Sequence, residues 1–164
     1  MKMFKVILII ILFFLNISAK KPECHKFKLI SATVQKTIPG HRGADIKEKY
    51  IFICKKSKSS DITITKLWKG NDKKGRFIDY KIMKFDGKKI IYEEISSLIG
   101  VKIFAIVGTY KYPVDIANKP VSKSNDLCPI EDFNGKAIIE YSKKSRKKHI
   151  TISEIEVLET IRRH

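Results

Sequence analysis

The chain has 164 residues, 43% of them hydrophobic and 10% aromatic, enough for one compact domain of ordinary size with a buried core. Its 34 basic residues against 17 acidic ones give a formal charge of +17, and only five of those cations are arginine (42, 76, 146, 162 and 163). Direct nucleic-acid readers lean on arginine forks and exposed aromatics, so lysine spread along nearly every segment argues first for solvated faces and protected sheet edges.

The chain opens with Lys2 and Lys5, continues as an unbroken apolar run from Val6 to Leu15, and exits through Asn16 to Ala19. That layout predicts a secretory signal peptide over residues 1–19, cut after Ala19, with Ile17 and Ala19 at the two positions a signal peptidase reads. The apolar run is about half the ~20 residues a bilayer-spanning helix needs, so no transmembrane span is expected after cleavage. Lipidation at Cys24 fits poorly, because Pro22 and Glu23 stand where small residues would be required. Residues 20–164 are then expected to form a single domain, secreted or periplasmic, and losing Lys2 and Lys5 leaves it at +15.

From Phe27 onward, short alternating runs are separated by turn residues about every ten positions, the pattern of an antiparallel β-sandwich or barrel. Phe27 to Thr37 is the first run, ended by the loop Pro39-Gly40-His41-Arg42-Gly43, in which proline cannot continue a ladder. Lys47 to Lys55 follows, with Tyr50, Phe52 and Cys54 on one face. Asp61 to Trp68 alternates threonine with isoleucine before ending on Leu67 and the lone tryptophan. Arg76 to Lys84 and Lys88 to Ile95 are expected to form a hairpin turning at Asp86-Gly87, a pair that accommodates positive φ. Tyr92 to Ile99 carries the chain's weak helix signal.

Val101 to Tyr110 is the ten-residue run apolar on both faces, Val101, Ile103, Ala105 and Val107 against Phe104, Ile106 and Tyr110, and belongs in the middle of a sheet. Lys111 to Phe133, with Pro113, Pro120 and Pro129, has no period, and so long a connection is usually functional or mobile. Lys136 to Ser142 resumes the alternation; the turn Lys143 to Lys148 leads into His149 to Leu158, which slips near Glu154 and Ile155 as at a β-bulge. The expected fold is all-β, an antiparallel, immunoglobulin-like β-sandwich of about seven to nine strands.

The chemistry that this pattern offers is sparse. Three cysteines allow at most one internal bridge. Cys54 lies on an aromatic strand face and is read as a buried free thiol, which leaves Cys24 and Cys128 as the expected pair; closing so long a loop is worth about 4–5 kcal/mol in the chain-entropy picture. No histidine shows zinc-ligand spacing, no glycine-rich loop follows a strand into a helix, and no nucleophile elbow is present, so no metal, no cofactor and no catalytic residue is assigned. Trp68 is read as a core anchor in preference to an exposed platform for sugar stacking. The basic turn is the candidate for polyanion binding through Lys143, Lys144, Arg146, Lys147 and Lys148, joined in space by Lys55, Lys56 and Lys58, and His41 and Arg42 are the candidate ligand-loop residues.

A signal peptide, a strand leading into Pro39-Gly40-His41-Arg42-Gly43, the strand Tyr50 to Cys54, and Leu67-Trp68 followed by a Lys69-Gly70-Asn71 turn occur together in this chain. In that combination it resembles the small secreted β-sandwich proteins of Bacteroidetes-type bacteria, which carry no assigned activity. The resemblance covers most of the mature chain, implies an envelope or exported location, and supplies no catalytic residue. The expectation is a noncatalytic binding or structural module whose partner is an unknown envelope component or protein. Two alternatives stand beside it: a binder of an acidic polymer (acidic glycan, lipid headgroup or nucleic acid) through the lysine-rich turn, and a small secreted hydrolase with an unrecognised site.

Overall fold

The computed structural model describes residues 27–41, 44–57, 61–70, 76–112 and 135–163. Among them there is no helix, and ten strands form two facing sheets. The strands are β1 (Phe27–Ile38), β2 (Ile46–Lys56), β3 (Thr63–Lys69), β4 (Arg76–Phe77), β5 (Asp79–Phe85), β6 (Ile90–Glu94), β7 (Ile103–Tyr112), β8 (Ala137–Lys143), β9 (Arg146–Ile152) and β10 (Glu156–Arg162). The larger sheet runs β10-β1-β2-β7-β5-β6 and the smaller β4-β3-β8-β9. This is the β-sandwich expected from the alternating runs, with ten strands among the described residues in place of seven to nine because two runs divide between the sheets; its six-plus-four division is not itself the strand arrangement of immunoglobulin domains. One pairing departs from the antiparallel expectation, since β10 lies parallel to β1.

The apolar run singled out above is β7, held between β2 and β5 in the middle of the larger sheet. Phe104 and Ile106 point inward to pack with Phe52, Cys54, Ile64, Leu67, Ile78 and Ile139 in the inter-sheet core. Ala105 and Val107 point outward and form a second buried cluster with Ile53 and Met83, so both faces of the strand are covered, as alternation on two sides requires. Gly108 interrupts the inward row where Leu67 and Ile78 crowd against β7. A Cβ there would stand 2.7 Å from Leu67 Cδ2 and 2.8 Å from Ile78 Cγ2, a separation no side chain tolerates without displacing both neighbours.

Two strands expected to be continuous instead change sheets. Arg76 to Lys84 breaks at the fully buried Ile78, whose N–H donates to the Leu67 carbonyl (2.8 Å). Phe77 pairs with Trp68 in the smaller sheet, while Asp79 pairs with Thr109 in the larger. His149 to Leu158 likewise divides: the irregularity near Glu154 and Ile155 is not a bulge within one strand but the crossing from β9 to β10, and so from one sheet to the other. Asp86-Gly87 turns the β5–β6 hairpin as expected, with Gly87 at φ 97° and the Asp86 carboxylate accepting from the Lys88 and Lys89 N–H groups (both 2.8 Å). The stretch from Tyr92 forms β6 and then a turn, not a helix.

Two bulges decide which side chains face inward. In β1 the register shifts between Leu29 and Ser31, ejecting Ile30, which is 52% exposed. In β3 it shifts between Ile64 and Lys66. Without that extra residue, Trp68 would follow Ile62 and Ile64 into the core. With it, Leu67 and Lys69 turn inward, and Trp68 packs on the opposite face with Ile138 and Phe77. Trp68 is nonetheless only 1% exposed, a buried anchor and not a surface platform, and its indole N–H has no hydrogen-bond partner among the described residues.

Candidate functional site

The loop between β1 and β2 opens onto a cleft of about 720 Å³ lined in part by Thr37, His41, Asp45, Lys47, Lys49, Thr109 and Arg163. Local pairing explains why these residues meet. Thr37 pairs with Lys47, and Lys49 pairs with Thr109, so strand alternation sends all four to the outer face of the larger sheet. Arg163 arrives from the other direction: β10 ends beside β1, where the Arg163 N–H donates to the Ile38 carbonyl (3.0 Å). Among the described lining residues, two lysines, an arginine and a histidine face a single carboxylate, Asp45. Lys49 reaches across the sheet to donate to the Tyr92 hydroxyl (3.0 Å). His41, the candidate ligand-loop histidine, is therefore part of a cleft; Arg42 lies outside the described residues.

Turning one residue along β2 reverses the chemistry. Glu48 points inward at the same end of the sandwich and meets Lys69, which the β3 bulge delivers to the interior. Lys69 Nζ donates to Glu48 Oε2 (2.6 Å) and to the Tyr112 hydroxyl (2.8 Å), Tyr112 donates to Glu48 Oε1 (2.6 Å), and Tyr50 donates to Glu48 Oε2 (2.7 Å). The ammonium also stands 4.3 Å from the Tyr110 ring centroid and 4.6 Å from that of Tyr112, a cation–π enclosure. Arg76 Nη1 donates to the Tyr110 hydroxyl (2.9 Å). The Lys69 side chain is 6% exposed and that of Glu48 16%. Burial pushes the Glu48 carboxyl upward, but hydrogen bonds from Lys69, Tyr112 and Tyr50 and the charge of Lys69 outweigh it and hold the group below its ordinary 4.5. Burial first, and the Glu48 carboxylate second, push the Tyr50 and Tyr112 hydroxyls above 10. With both carboxylate oxygens occupied and held ionised, Glu48 is a poor proton acceptor for an incoming substrate; the cluster is a closed lock between the sheets.

The basic turn is divided by the fold. Lys144 (φ 47°) and Ser145 (φ 62°) form a two-residue turn with both central residues in the left-handed region, the type I′ geometry that suits hairpin twist. Lys143 stands opposite Arg146 and Tyr141 opposite Lys148, on the face that continues into the core through Ile139 and Ile150; Lys147 stands opposite Ser142 on the other face. The five cations thus form a tip with two sides, not one patch. Of the lysines expected to join them, Lys55 is exposed, Lys56 is 2% exposed, and Lys58 lies outside the described residues.

Cys54 is a buried free thiol, and burial pushes its ionisation up, away from the nucleophilic thiolate. Cys24, Cys128, their expected pairing and the segment 113–134 lie outside the described residues. Among the described residues no group of three or more histidine, cysteine and acidic side chains is placed to hold a metal ion, and no helix is long and apolar enough to cross a membrane.

Neither the cleft cations nor the Glu48–Lys69 lock is legible as a constellation in the sequence, because each is assembled from three or four strands. One usable signal was present: Glu48 shares the alternating face of Tyr50, Phe52 and Cys54, where a charge at an inward position demands a partner. No family model, curated protein or solved structure matches the chain.

Proposed function

We propose that the protein is a noncatalytic binding module of the cell envelope, exported by its leader, and that it holds an anionic ligand in the cleft beside the β1–β2 loop. One observation carries the reading: Lys47, Lys49, Arg163 and His41 converge on one concavity that presents a single carboxylate among its described residues. Clefts lined by one sign of charge focus the field and concentrate oppositely charged ligands. Strand pairing, not a flexible loop, positions the two lysines, so the cations are held in place before binding.

Heparin affinity and its salt dependence test the proposal. Lys47→Ala/Lys49→Ala is expected to weaken binding roughly tenfold and to lower the salt slope by about one per lost contact. The second reading, a polyanion held at the β8–β9 tip, has its own support in the grouping of Lys143, Lys144, Arg146, Lys147 and Lys148 around one two-residue turn. Under that reading Lys147→Ala/Lys148→Ala shows the larger loss and the cleft variant little. Wild-type protein emerging in the void volume at low salt would exclude both.

A further inference from the structure

Building on the cleft as the ligand site, we infer that its ligand is an acidic polysaccharide, a sugar ring stacking on Tyr92 while the carboxylate or sulfate it carries is held by Lys47 and Lys49. Tyr92 is 74% exposed, by far the most exposed tyrosine among the described residues whose exposure stands out, and it lies on β6, the outermost strand of the larger sheet. β6 is three strands from β2, about 14 Å at the usual strand spacing. The 3.0 Å hydrogen bond from Lys49 Nζ to the Tyr92 hydroxyl therefore requires the two side chains to reach toward each other over the outer face. The ammonium is 5.1 Å from the ring centroid yet 3.0 Å from the hydroxyl oxygen, which places it at the hydroxyl edge of the ring and not over a face. Tyr92 stands outside the lining of the cleft with most of its surface open to solvent, and Lys49, which does line the cleft, meets it at the ring's polar end.

That juxtaposition selects among anions. A bare phosphate or sulfate uses the cations and has no use for an aromatic face. An acidic sugar has a flat C–H face for the ring and an anionic substituent a few ångströms away, matching an amphipathic aromatic with an ammonium at its hydroxyl. The stacking role that the sequence argues against for Trp68, which is indeed buried, falls instead to a tyrosine on another strand.

Calorimetric titration with a uronic-acid hexasaccharide, a heparin hexasaccharide, inorganic polyphosphate and single-stranded oligo-dT tests the inference. Acidic hexasaccharides, whether carboxylated or sulfated, are expected to bind, the preferred one identifying the anionic substituent. Tyr92→Ala should weaken that binding about tenfold, and Tyr92→Phe, which keeps the ring and loses the hydroxyl, by no more than about twofold. Polyphosphate binding should be unchanged by either substitution. Saturation-transfer NMR should label the sugar C–H protons in the wild type and not in Tyr92→Ala, a readout that a purely structural role for Tyr92 does not move. Saccharide binding indifferent to Tyr92→Ala overturns the inference, as does oligo-dT or polyphosphate binding more tightly than either saccharide. If at the same time Lys47→Ala/Lys49→Ala abolishes binding of every anion, the anion-binding cleft stands and its saccharide ligand is wrong; if the lysine variant binds normally, both fall.

Discussion

The sandwich carries lysine at both ends, and the two ends treat it in opposite ways. Lys69 stands opposite Ala137 at the start of β8, and Lys143 stands opposite Arg146 at its finish, about 20 Å away at the rise of an extended strand. At the first end one ammonium is buried against a carboxylate and tyrosine rings, and every polar atom of the group has a partner. At the second end cations face each other across an exposed two-residue turn. A lysine-rich composition therefore has no single structural meaning: the same residue helps to close the core at one end and coats an exposed turn at the other. The cleft lies between these cases, on the same end as the lock but one residue along β2, where Lys47 and Lys49 flank Glu48 and point the other way.

Removing the counterion breaks this contrast most sharply. Glu48→Ala leaves the Lys69 charge buried and strips the acceptor from the Tyr50 and Tyr112 hydroxyls, for an expected loss of about 3–5 kcal/mol in urea denaturation. Lys148→Ala at the exposed tip should change stability by no more than about 0.5 kcal/mol. Replacing both partners, as Glu48→Leu/Lys69→Met, should recover most of the loss, because the penalty lies in the orphaned charge and not in the missing attraction. A loss below about 1 kcal/mol for Glu48→Ala would mean that water reaches Lys69 freely and that the enclosure is looser than its distances state.

Acidity sharpens the same comparison, with a smaller effect. The Glu48 carboxyl is held below its ordinary 4.5 in the folded chain, so the unfolded chain takes up the proton first as pH falls. The stability it contributes is complete above about 4.5 and is lost as pH drops through the lower folded value. Tyr50 and Tyr112 are raised above 10, so their contribution is complete below that pH and is lost as pH climbs past it, when the unfolded chain releases protons that the folded chain retains. Stability measured against pH should show a plateau with two falling limbs. Glu48→Gln should flatten the acid limb; an acid limb identical to that of the wild type would assign it to other carboxylates.

How much of this was legible in the sequence follows from the range of each signal. β7 was readable because its pattern is local: ten residues apolar on both faces need a covered strand whatever lies around them. The Asp86-Gly87 hairpin was readable for the same reason. Lys69 was not, because its inward direction depends on one extra residue at Thr65 that threonine–isoleucine alternation conceals. The sheet change at Ile78 was hidden because it alters the strand's partners and leaves the expected run unbroken; the one at 153–155 showed as a slip in the alternation, which reads equally well as a bulge. The cleft draws Pro39, Gly40 and His41 from a recognisable loop, but its two lysines from strand positions that look like ordinary solvent-facing lysine.

The smallest effect concerns the exposed end and asks whether its shape is held by chain preference or by the sheet. Lys144 and Ser145 both occupy the left-handed region without being glycine, a conformation that costs an L-residue about 1 kcal/mol or more. Lys144→Asn/Ser145→Gly substitutes the pair that the type I′ turn favours and should stabilise the protein by about 1 kcal/mol in thermal or urea unfolding, with the β8–β9 register unchanged. Because the same change removes one cation from the tip and none from the cleft, heparin retention should stay close to that of the wild type if the cleft is the binding site. A gain in stability accompanied by a marked loss of retention moves the anion site to the tip and reverses the roles assigned to the two basic regions.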